Sequence, residues 1–124
     1  LTLGRLDVRR DWGAAPDYVV AMHATLQHDE PDTFNVATGT SHSLDDFLHA
    51  SFAAAGVADY RERILTDPGL LRPADVPETR GDASKARELL GWTPTRTFDQ
   101  IVESMVAADL TRLTSGVRYD VAYL

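Results

Sequence analysis

The chain has 124 residues, of which 44% are hydrophobic and 25% are charged, and this balance predicts a folded domain, or part of one, rather than a disordered segment. Its net charge of −7 argues against a general nucleic-acid surface, although a few local arginines can still bind an anionic small molecule. Cysteine is absent, which excludes disulfides and thiol catalysis and fits a cytoplasmic protein. Apolar runs are too short for a membrane span, and the four histidines lack zinc-ligand spacing, so neither a membrane nor a metal partner is expected.

The first third of the chain is expected to form a strand, a helix and a second, buried strand. Residues 1–8 alternate loosely between apolar and polar, which is typical of an extended segment, and residues 9–13 break the alternation. Pro16 suits the first turn of a helix, and apolar side chains then recur at helical spacing up to Leu26. The predicted elements are a strand over 1–8, a helix over about 16–28 and a strand over 33–37.

Two capping boxes mark the beginnings of two further helices. Ser43 and Asp46 approximate the first box, with Asp in place of the usual Glu, and Thr97 and Gln100 form the second. Apolar residues follow each box at helical spacing, and a glycine stands where each helix should stop. The predicted helices therefore end at Gly56 and Gly116.

The segment between these two helices is expected to hold a short strand, an ordered loop and a short helix. The strand is predicted around residues 63–65, and three prolines and a glycine make residues 67–78 a loop. Asp82 can cap a helix that runs to residue 90. Gly91 suits the left-handed residue that closes this helix, and Trp92 can then pack back on it.

Motifs that bind a dinucleotide or carry out catalysis are absent from the 124 residues. No Gly-x-Gly-x-x-Gly run is present, so the chain lacks the phosphate loop of a Rossmann fold. The single lysine, Lys85, is preceded by Gly81 four residues earlier, so a Tyr-x-x-x-Lys pair is also absent. We therefore expect no catalytic residue and no cofactor-binding residue in this chain.

Several sequence blocks follow one another in an informative order. The most specific is Arg10-Asp11-Trp12-Gly13, and two later blocks are Arg72-Pro73-Ala74-Asp75 and Leu90-Gly91-Trp92. Together they resemble the GDP-mannose 4,6-dehydratases, a branch of the extended short-chain dehydrogenase/reductase family. The first block favours this branch, whereas the later two resemble motifs shared with sugar-nucleotide reductases and epimerases. Arg5 departs from the pattern, because the family usually has Asn there.

This resemblance implies an α/β fold, namely the small C-terminal substrate-binding lobe of an extended short-chain dehydrogenase, with helices and a few short strands. It implies that residues 1–124 are the C-terminal sugar-nucleotide-binding part of a larger enzyme. That enzyme would bind NADP in an N-terminal Rossmann part and form a homo-oligomer. It would convert GDP-mannose to GDP-4-keto-6-deoxymannose, and the fragment alone is expected to be inactive.

Three residues are predicted to bind the GDP-sugar. A guanidinium can donate two parallel hydrogen bonds to a diphosphate, and the resemblance gives Arg72 this role; the alternative is a solvated arginine or an ion pair with Asp75. A carboxylate can accept from both ribose hydroxyls, and the resemblance gives Asp75 this role; the alternative is local capping of the turn. By resemblance Arg10 reaches the diphosphate or the hexose, and the alternative is a pair with Asp11 or Asp7.

Other functions and structural roles remain open on the sequence alone. The parent could be a GDP-4-keto-6-deoxysugar reductase or a nucleotide-sugar epimerase, or the chain could be a free-standing, non-catalytic binding module. Trp12 and Trp92 are predicted to be core anchors. An isolated lobe should expose apolar surface that normally meets its partner, and Tyr18, Val19 and Met22 are the candidates.

Overall fold

The computed structural model describes residues 1–116, which form four helices and five short strands. None of the helices in this range is long and apolar enough to cross a membrane. The helices are α1 (Ala15–Leu26), α2 (Leu44–Ala54), α3 (Ser84–Leu90) and α4 (Phe98–Ser115). The strands are β1 (Thr2–Leu3), β2 (Arg9–Asp11), β3 (Ser41–Ser43), β4 (Leu65–Thr66) and β5 (Glu78–Thr79), with turns of 3₁₀ helix at Tyr60–Arg63 and Pro68–Leu70.

The strands form two small sheets. β1 pairs with β4 in parallel, and β2 is the central strand of a three-stranded sheet in the order β3, β2, β5. β2 runs antiparallel to β3 and parallel to β5, so that Arg10 lies opposite His42 on one side and Thr79 on the other. The central position of β2 gives its backbone ladder partners on both sides, and it holds the Arg10 side chain at a fixed place.

The sequence misplaced two of the strands. The predicted strand over 1–8 is wrong in extent, because pairing occurs at Thr2–Leu3 and again at Arg9–Asp11, where the alternation breaks. The predicted strand over 33–37 is also wrong, since no strand within residues 1–116 pairs with this segment. Its side chains Phe34 and Val36 nevertheless pack against the core. Strand formation requires a paired neighbour, and the pattern of one segment does not reveal it.

The helices follow their local signals closely. Both capping boxes are confirmed, with Ser43 and Asp46 exchanging hydrogen bonds before α2, and Thr97 and Gln100 doing so before α4. α1 ends at Leu26, two residues before the predicted end. α3 begins at Ser84 with Ala83 as its N-cap, so Asp82 is not the capping residue that the sequence predicted, although its side chain accepts from the Ser84 amide at 2.9 Å. The glycines predicted to close helices all have positive φ values: Gly56 at 71°, Gly91 at 64° and Gly116 at 75°.

The core lies between α1 and α3, and Trp92 is its largest member. Trp92 is 4% exposed, packs with Ala21, Ala83 and Ala86, and confirms the prediction of a core anchor. Its indole nitrogen donates to the main-chain oxygen of Asp17 at 2.8 Å. A second cluster joins α2 to α4 through stacked aromatic rings. In it Trp12 contacts Phe47 edge to face at 4.5 Å and stacks on Phe98 at 5.6 Å, while His42 stacks on Phe98 at 3.9 Å.

One face of α1 is apolar and exposed. Val19 and Met22 are 61% and 63% exposed, as predicted, and Leu26 continues the same stripe. Tyr18 was predicted to share this surface, but it packs against the core beside Trp92 instead.

Candidate functional site

Arg10 and Asp75 meet where the proline-rich loop over 67–77 passes the central strand. The Nη2 atom of Arg10 donates to Oδ1 of Asp75 at 2.9 Å. The Nη1 atom of Arg10 donates to the main-chain oxygens of Val76 at 2.9 Å and of Arg9 at 2.7 Å. The Asp75 side chain is 17% exposed and that of Arg10 is 30% exposed, so water only partly screens this pair.

The loop that carries Asp75 is fixed to β2 by main-chain contacts as well. The Arg9 amide donates to the Pro77 oxygen at 2.8 Å, immediately before β5 joins the sheet. Pro73 and Pro77 restrict φ on either side of Asp75. The loop is therefore held at its second half, and Asp75 is presented on an ordered backbone.

Arg72 lies on the exposed first half of the same loop, three residues before Asp75. Its side chain has neither a hydrogen bond nor an ion pair with any other group of residues 1–116. The alternative partner proposed for it, Asp75, is engaged by Arg10 instead. The alternative partners proposed for Arg10 are also wrong, because Asp7 pairs with Arg5 and Asp11 binds main-chain amides. The fold thus brings Arg10 and Asp75 together and leaves Arg72 exposed on the loop that carries Asp75.

Arg5 is a further cation near this site, and sequence reasoning did not select it. Its guanidinium makes two hydrogen bonds to Asp7, at 2.9 and 2.6 Å. These contacts raise the pKa of Arg5, and the charge of Asp75 adds a smaller contribution in the same direction. Arg5 therefore lies within electrostatic range of Asp75.

Asp11 joins three segments beside the site. Its carboxylate accepts from the amides of Thr38 and Gly39, each at 2.9 Å, from the Gly81 amide at 3.2 Å, and from the Thr38 hydroxyl at 2.6 Å. Partial burial acts to raise the pKa of Asp11, but these hydrogen bonds outweigh it and lower the pKa. Gly81 is required at this junction, because a Cβ there would lie 2.3 Å from the Cβ of Ala37.

Arg9 and its contacts stabilise the sheet through polar side chains. Arg9 donates to the Ser41 hydroxyl at 3.3 Å and to the Ser41 main-chain oxygen at 2.6 Å, and the Ser41 hydroxyl donates to Glu78. A weaker ion pair joins Arg9 to Asp46 at 3.7 Å. These contacts tie β2 to β3 and β5, and we assign Arg9 a structural role.

The groups around Arg10 can donate and accept hydrogen bonds. No group of three His, Asp or Glu side chains within residues 1–116 is arranged to hold a metal ion. The sequence lacks the glycine-rich loop that would hold the NADP diphosphate, so the residues present do not fit that cofactor. A cleft of about 590 Å³ lies elsewhere, between the end of α2 and the turn at Tyr60–Arg63. The Arg10 site is thus an open surface with a paired carboxylate and a nearby cation.

Comparison with known proteins identifies the family. Residues 1–105 match the model of the family described as GDP-mannose 4,6 dehydratase. GDP-mannose 4,6 dehydratase 1 of Arabidopsis thaliana is 44% identical over 110 residues, covering 89% of this chain and 30% of that protein. GDP-mannose 4,6 dehydratase of Homo sapiens is 39% identical over 125 residues, covering 88% of this chain and 34% of that protein. The chain thus spans about a third of the length of these curated relatives.

Solved structures show the same fold. The chain superposes on RMD from Pseudomonas aeruginosa, complexed with NADPH, with a TM-score of 0.75 and 25% identity, over 86% of this chain and 34% of that one. It superposes on UDP-glucose 4-epimerase from Thermotoga maritima with a TM-score of 0.79 and 23% identity, over 91% of this chain and 35% of that one. The predicted mixed α/β lobe of an extended short-chain dehydrogenase is thereby confirmed, and the chain belongs to the GDP-mannose 4,6-dehydratase family.

Proposed function

We propose that this chain is the substrate-binding portion of a sugar-nucleotide dehydratase that converts GDP-mannose to GDP-4-keto-6-deoxymannose. In that reaction a hydride leaves hexose C4, water is lost across C5 and C6, and the hydride returns to C6. Family membership and the span of about a third of the relatives' length support the proposal. The observation that carries it is the ion pair between Arg10 and Asp75, on the loop that also bears the exposed Arg72.

Two of these residues are proposed to contact the ligand directly. Arg72 donates hydrogen bonds to the diphosphate, for which its exposed guanidinium is suited. Asp75 accepts the ribose hydroxyls through its carboxylate, whose Oδ1 also accepts from Arg10. These contacts lie away from the reacting carbons of the hexose. Their binding energy positions the sugar and contributes to catalysis only when the hexose also meets the catalytic groups.

The chemistry belongs to a Rossmann part that lies N-terminal to these residues in the proposed enzyme. That part would hold NADP, which accepts and returns the hydride, and it would carry the acid and base groups. The presence of NADPH in the RMD structure supports a nicotinamide cofactor for this class of protein. The 124-residue chain alone is accordingly expected to bind GDP-mannose and to give no turnover.

Replacing Arg72 with glutamine is expected to weaken GDP-mannose binding by about 10- to 100-fold, since it removes charge-assisted hydrogen bonds to the diphosphate. Chemical-shift titration of the ¹⁵N-labelled 124-residue chain would measure this affinity even if it is millimolar. Arg61→Gln is the matched control, because Arg61 is an exposed arginine whose ion pair with Asp45 lies outside the site. Equal affinities of the Arg72→Gln variant and the unmodified chain would contradict the diphosphate assignment.

The same titration separates enzymes of GDP-sugars from epimerases of UDP-sugars. A dehydratase or reductase of GDP-sugars should bind GDP-mannose more tightly than UDP-glucose, whereas an epimerase of UDP-sugars should show the opposite order. Turnover of GDP-mannose by the pure chain would contradict the assignment of the chemistry to another part. A chain that binds the sugar nucleotide and is produced in its source as a stable 124-residue protein would support a free-standing binding module.

The exposed stripe of α1 is proposed to contact the rest of the enzyme. Val19, Met22 and Leu26 follow one another at spacings of three and four residues, so they lie along one side of the helix. A surface of this kind is stabilised by burial against another apolar surface. Without the Rossmann part, the stripe should meet the same stripe of a second copy.

Replacing Val19 and Met22 together with serine is therefore expected to weaken self-association of the 124-residue chain by at least about tenfold. Sedimentation velocity over a range of concentrations would measure the change. Leu89→Ser is the control, because Leu89 is 53% exposed on α3 rather than on this stripe. A dimer that persists unchanged in the double variant would show that another surface mediates association.

A further inference from the structure

We propose that a cleft between β3 and the segment that leads into α4 binds the phosphate group of a small molecule. The cleft has a volume of about 340 Å³, and its lining includes the basic side chains of His42 and Arg96. Arg10, Arg72 and Asp75 do not line it. The proposal therefore concerns a second site and does not rest on the function proposed above.

Arg96 supplies a cation that has no counter-ion in contact with it. The residue is half-buried, and its amide donates to Oδ2 of Asp17 at 3.2 Å, which fixes its backbone. Its guanidinium makes no hydrogen bond and no ion pair with any group of residues 1–116, and its charge acts on Asp17 only at a distance. A half-buried cation has lost part of its hydration, so an anion in the adjoining cleft would stabilise it.

His42 supplies a hydrogen-bond donor at a fixed place in the wall of the cleft. Its backbone is held in the β2–β3 ladder, and its ring stacks on Phe98 with the centroids 3.9 Å apart and the planes 6° apart. Neither ring nitrogen makes a hydrogen bond within the described part of the chain. An imidazole has at least one N–H group to donate. Because stacking already restricts the ring, it loses little conformational freedom on binding a ligand.

A phosphate group suits the chemistry of these walls. A guanidinium can donate several hydrogen bonds to a tetrahedral oxyanion, and the imidazole can donate another. The volume falls in the range of about 300–1,000 Å³ that is usual for small-molecule sites, which leaves room for an organic group attached to the phosphate. Asp99 also borders the cleft, and its carboxylate would repel an anion. Asp99 is exposed, however, so water and salt screen this repulsion.

Titration of the ¹⁵N-labelled chain with inorganic phosphate at constant ionic strength tests the site. We expect saturable shifts at the amides of Thr40, His42 and Arg96. Arg96→Gln should weaken phosphate binding about tenfold, because it removes charge-assisted hydrogen bonds. Asp99→Asn should instead strengthen it about twofold, because it removes a repelling charge.

Arg61→Gln is the matched control and should leave the phosphate affinity unchanged. Acetate at the same ionic strength should bind more weakly than phosphate, because it offers fewer acceptor oxygens. Equal affinities for acetate and phosphate would overturn the assignment to a phosphate group. The absence of saturable shifts, or an Arg96→Gln variant that binds phosphate as the unmodified chain does, would overturn the site itself.

Two variants separate this cleft from the GDP-sugar site. Arg72→Gln should weaken GDP-mannose binding and change phosphate binding by less than about twofold, and Arg96→Gln should do the reverse. Phosphate shifts confined to residues 72–76 and lost in Arg72→Gln would overturn the proposal. An unmodified chain that shows no shifts with GDP-mannose would refute the proposed function, while the phosphate titration would still decide whether the cleft binds an anion.

Discussion

Replacing Trp92 with alanine is expected to lower the free energy of unfolding by about 3–5 kcal/mol, which is the usual cost of removing a large buried aromatic side chain. Trp92 is 4% exposed and fills the space between α1 and α3. The alanines around it, Ala21, Ala83 and Ala86, cannot extend into the space that it would leave. Its removal would also delete the donor to the Asp17 main-chain oxygen. Because the free energy of unfolding of native proteins is only about 5–15 kcal/mol, the substitution would remove a large part of it.

Urea denaturation, followed by far-ultraviolet circular dichroism, would measure the change. Trp92→Phe keeps a ring but removes the N–H group, so it should cost less, about 1–2 kcal/mol. Leu89→Ala is the control on the neighbouring helix, because Leu89 is 53% exposed. A Trp92→Ala variant as stable as the Leu89→Ala variant would show that the packing of Trp92 between α1 and α3 contributes little to the free energy of unfolding.

Replacing Asp17 with asparagine is expected to lower the free energy of unfolding by about 2–3 kcal/mol at neutral pH, since the substitution removes hydrogen bonds to a charged acceptor. The Asp17 residue is 6% exposed, and its carboxylate accepts from the Thr95 amide at 3.0 Å, the Thr95 hydroxyl at 2.6 Å and the Arg96 amide at 3.2 Å. An asparagine would direct its NH₂ group toward the N–H and O–H groups of Thr95 and Arg96, which are themselves donors. The change would release the segment that precedes α4 from α1.

The pH dependence of this effect has a definite sign. Burial acts to raise the pKa of Asp17, but the hydrogen bonds from Thr95 and Arg96 outweigh it and lower the pKa below its ordinary value of 3.8. A lowered folded-state pKa gives stability that is present above the unfolded-state value and is lost as the pH falls through the folded-state value. The difference in the free energy of unfolding between the unmodified chain and Asp17→Asn should therefore be largest at neutral pH. It should shrink as the pH falls below 3.8.

Urea midpoints at pH 7 and at about pH 3 would test this dependence, with each protein compared at both values. Asp29→Asn is the control, because Asp29 is an exposed carboxylate just beyond the end of α1. A difference between Asp17→Asn and the unmodified chain that stayed constant across this range would show that the charge of Asp17 is not what stabilises the fold.

The elements that the sequence predicted well are those whose signals are local. Each capping box acts within four residues, and Gly91 and Trp92 follow directly on the helix that they close. The contacts that the sequence missed join distant segments. β2 depends on partners at Ser41–Ser43 and Glu78–Thr79, and no pattern within residues 9–11 predicts them. The strand expected over 33–37 failed for the same reason, since an extended pattern forms a ladder only beside a partner.

The candidate site was predicted in its members but not in its contacts. The resemblance selected Arg10, Arg72 and Asp75, while the ion pair between Arg10 and Asp75 emerged only from the fold. The roles of Asp11 and Asp17 were missed altogether, because their partners lie 27 or more residues away in the chain. In a single sequence, an aspartate that will be buried and hydrogen-bonded looks the same as one that will be solvated.

The loop that carries Arg72 has a consequence for how this family can diversify. Residues 71–74 are exposed, and the body of the protein contacts the loop on either side of them, at Asp67 and at Asp75, Val76 and Pro77. Substitutions in the exposed stretch therefore impose little folding cost, whereas changes at Arg10 disturb the attachment of the loop. If Arg72 binds the diphosphate as proposed, ligand preference could evolve through this stretch while the sheet and the helices are inherited unchanged.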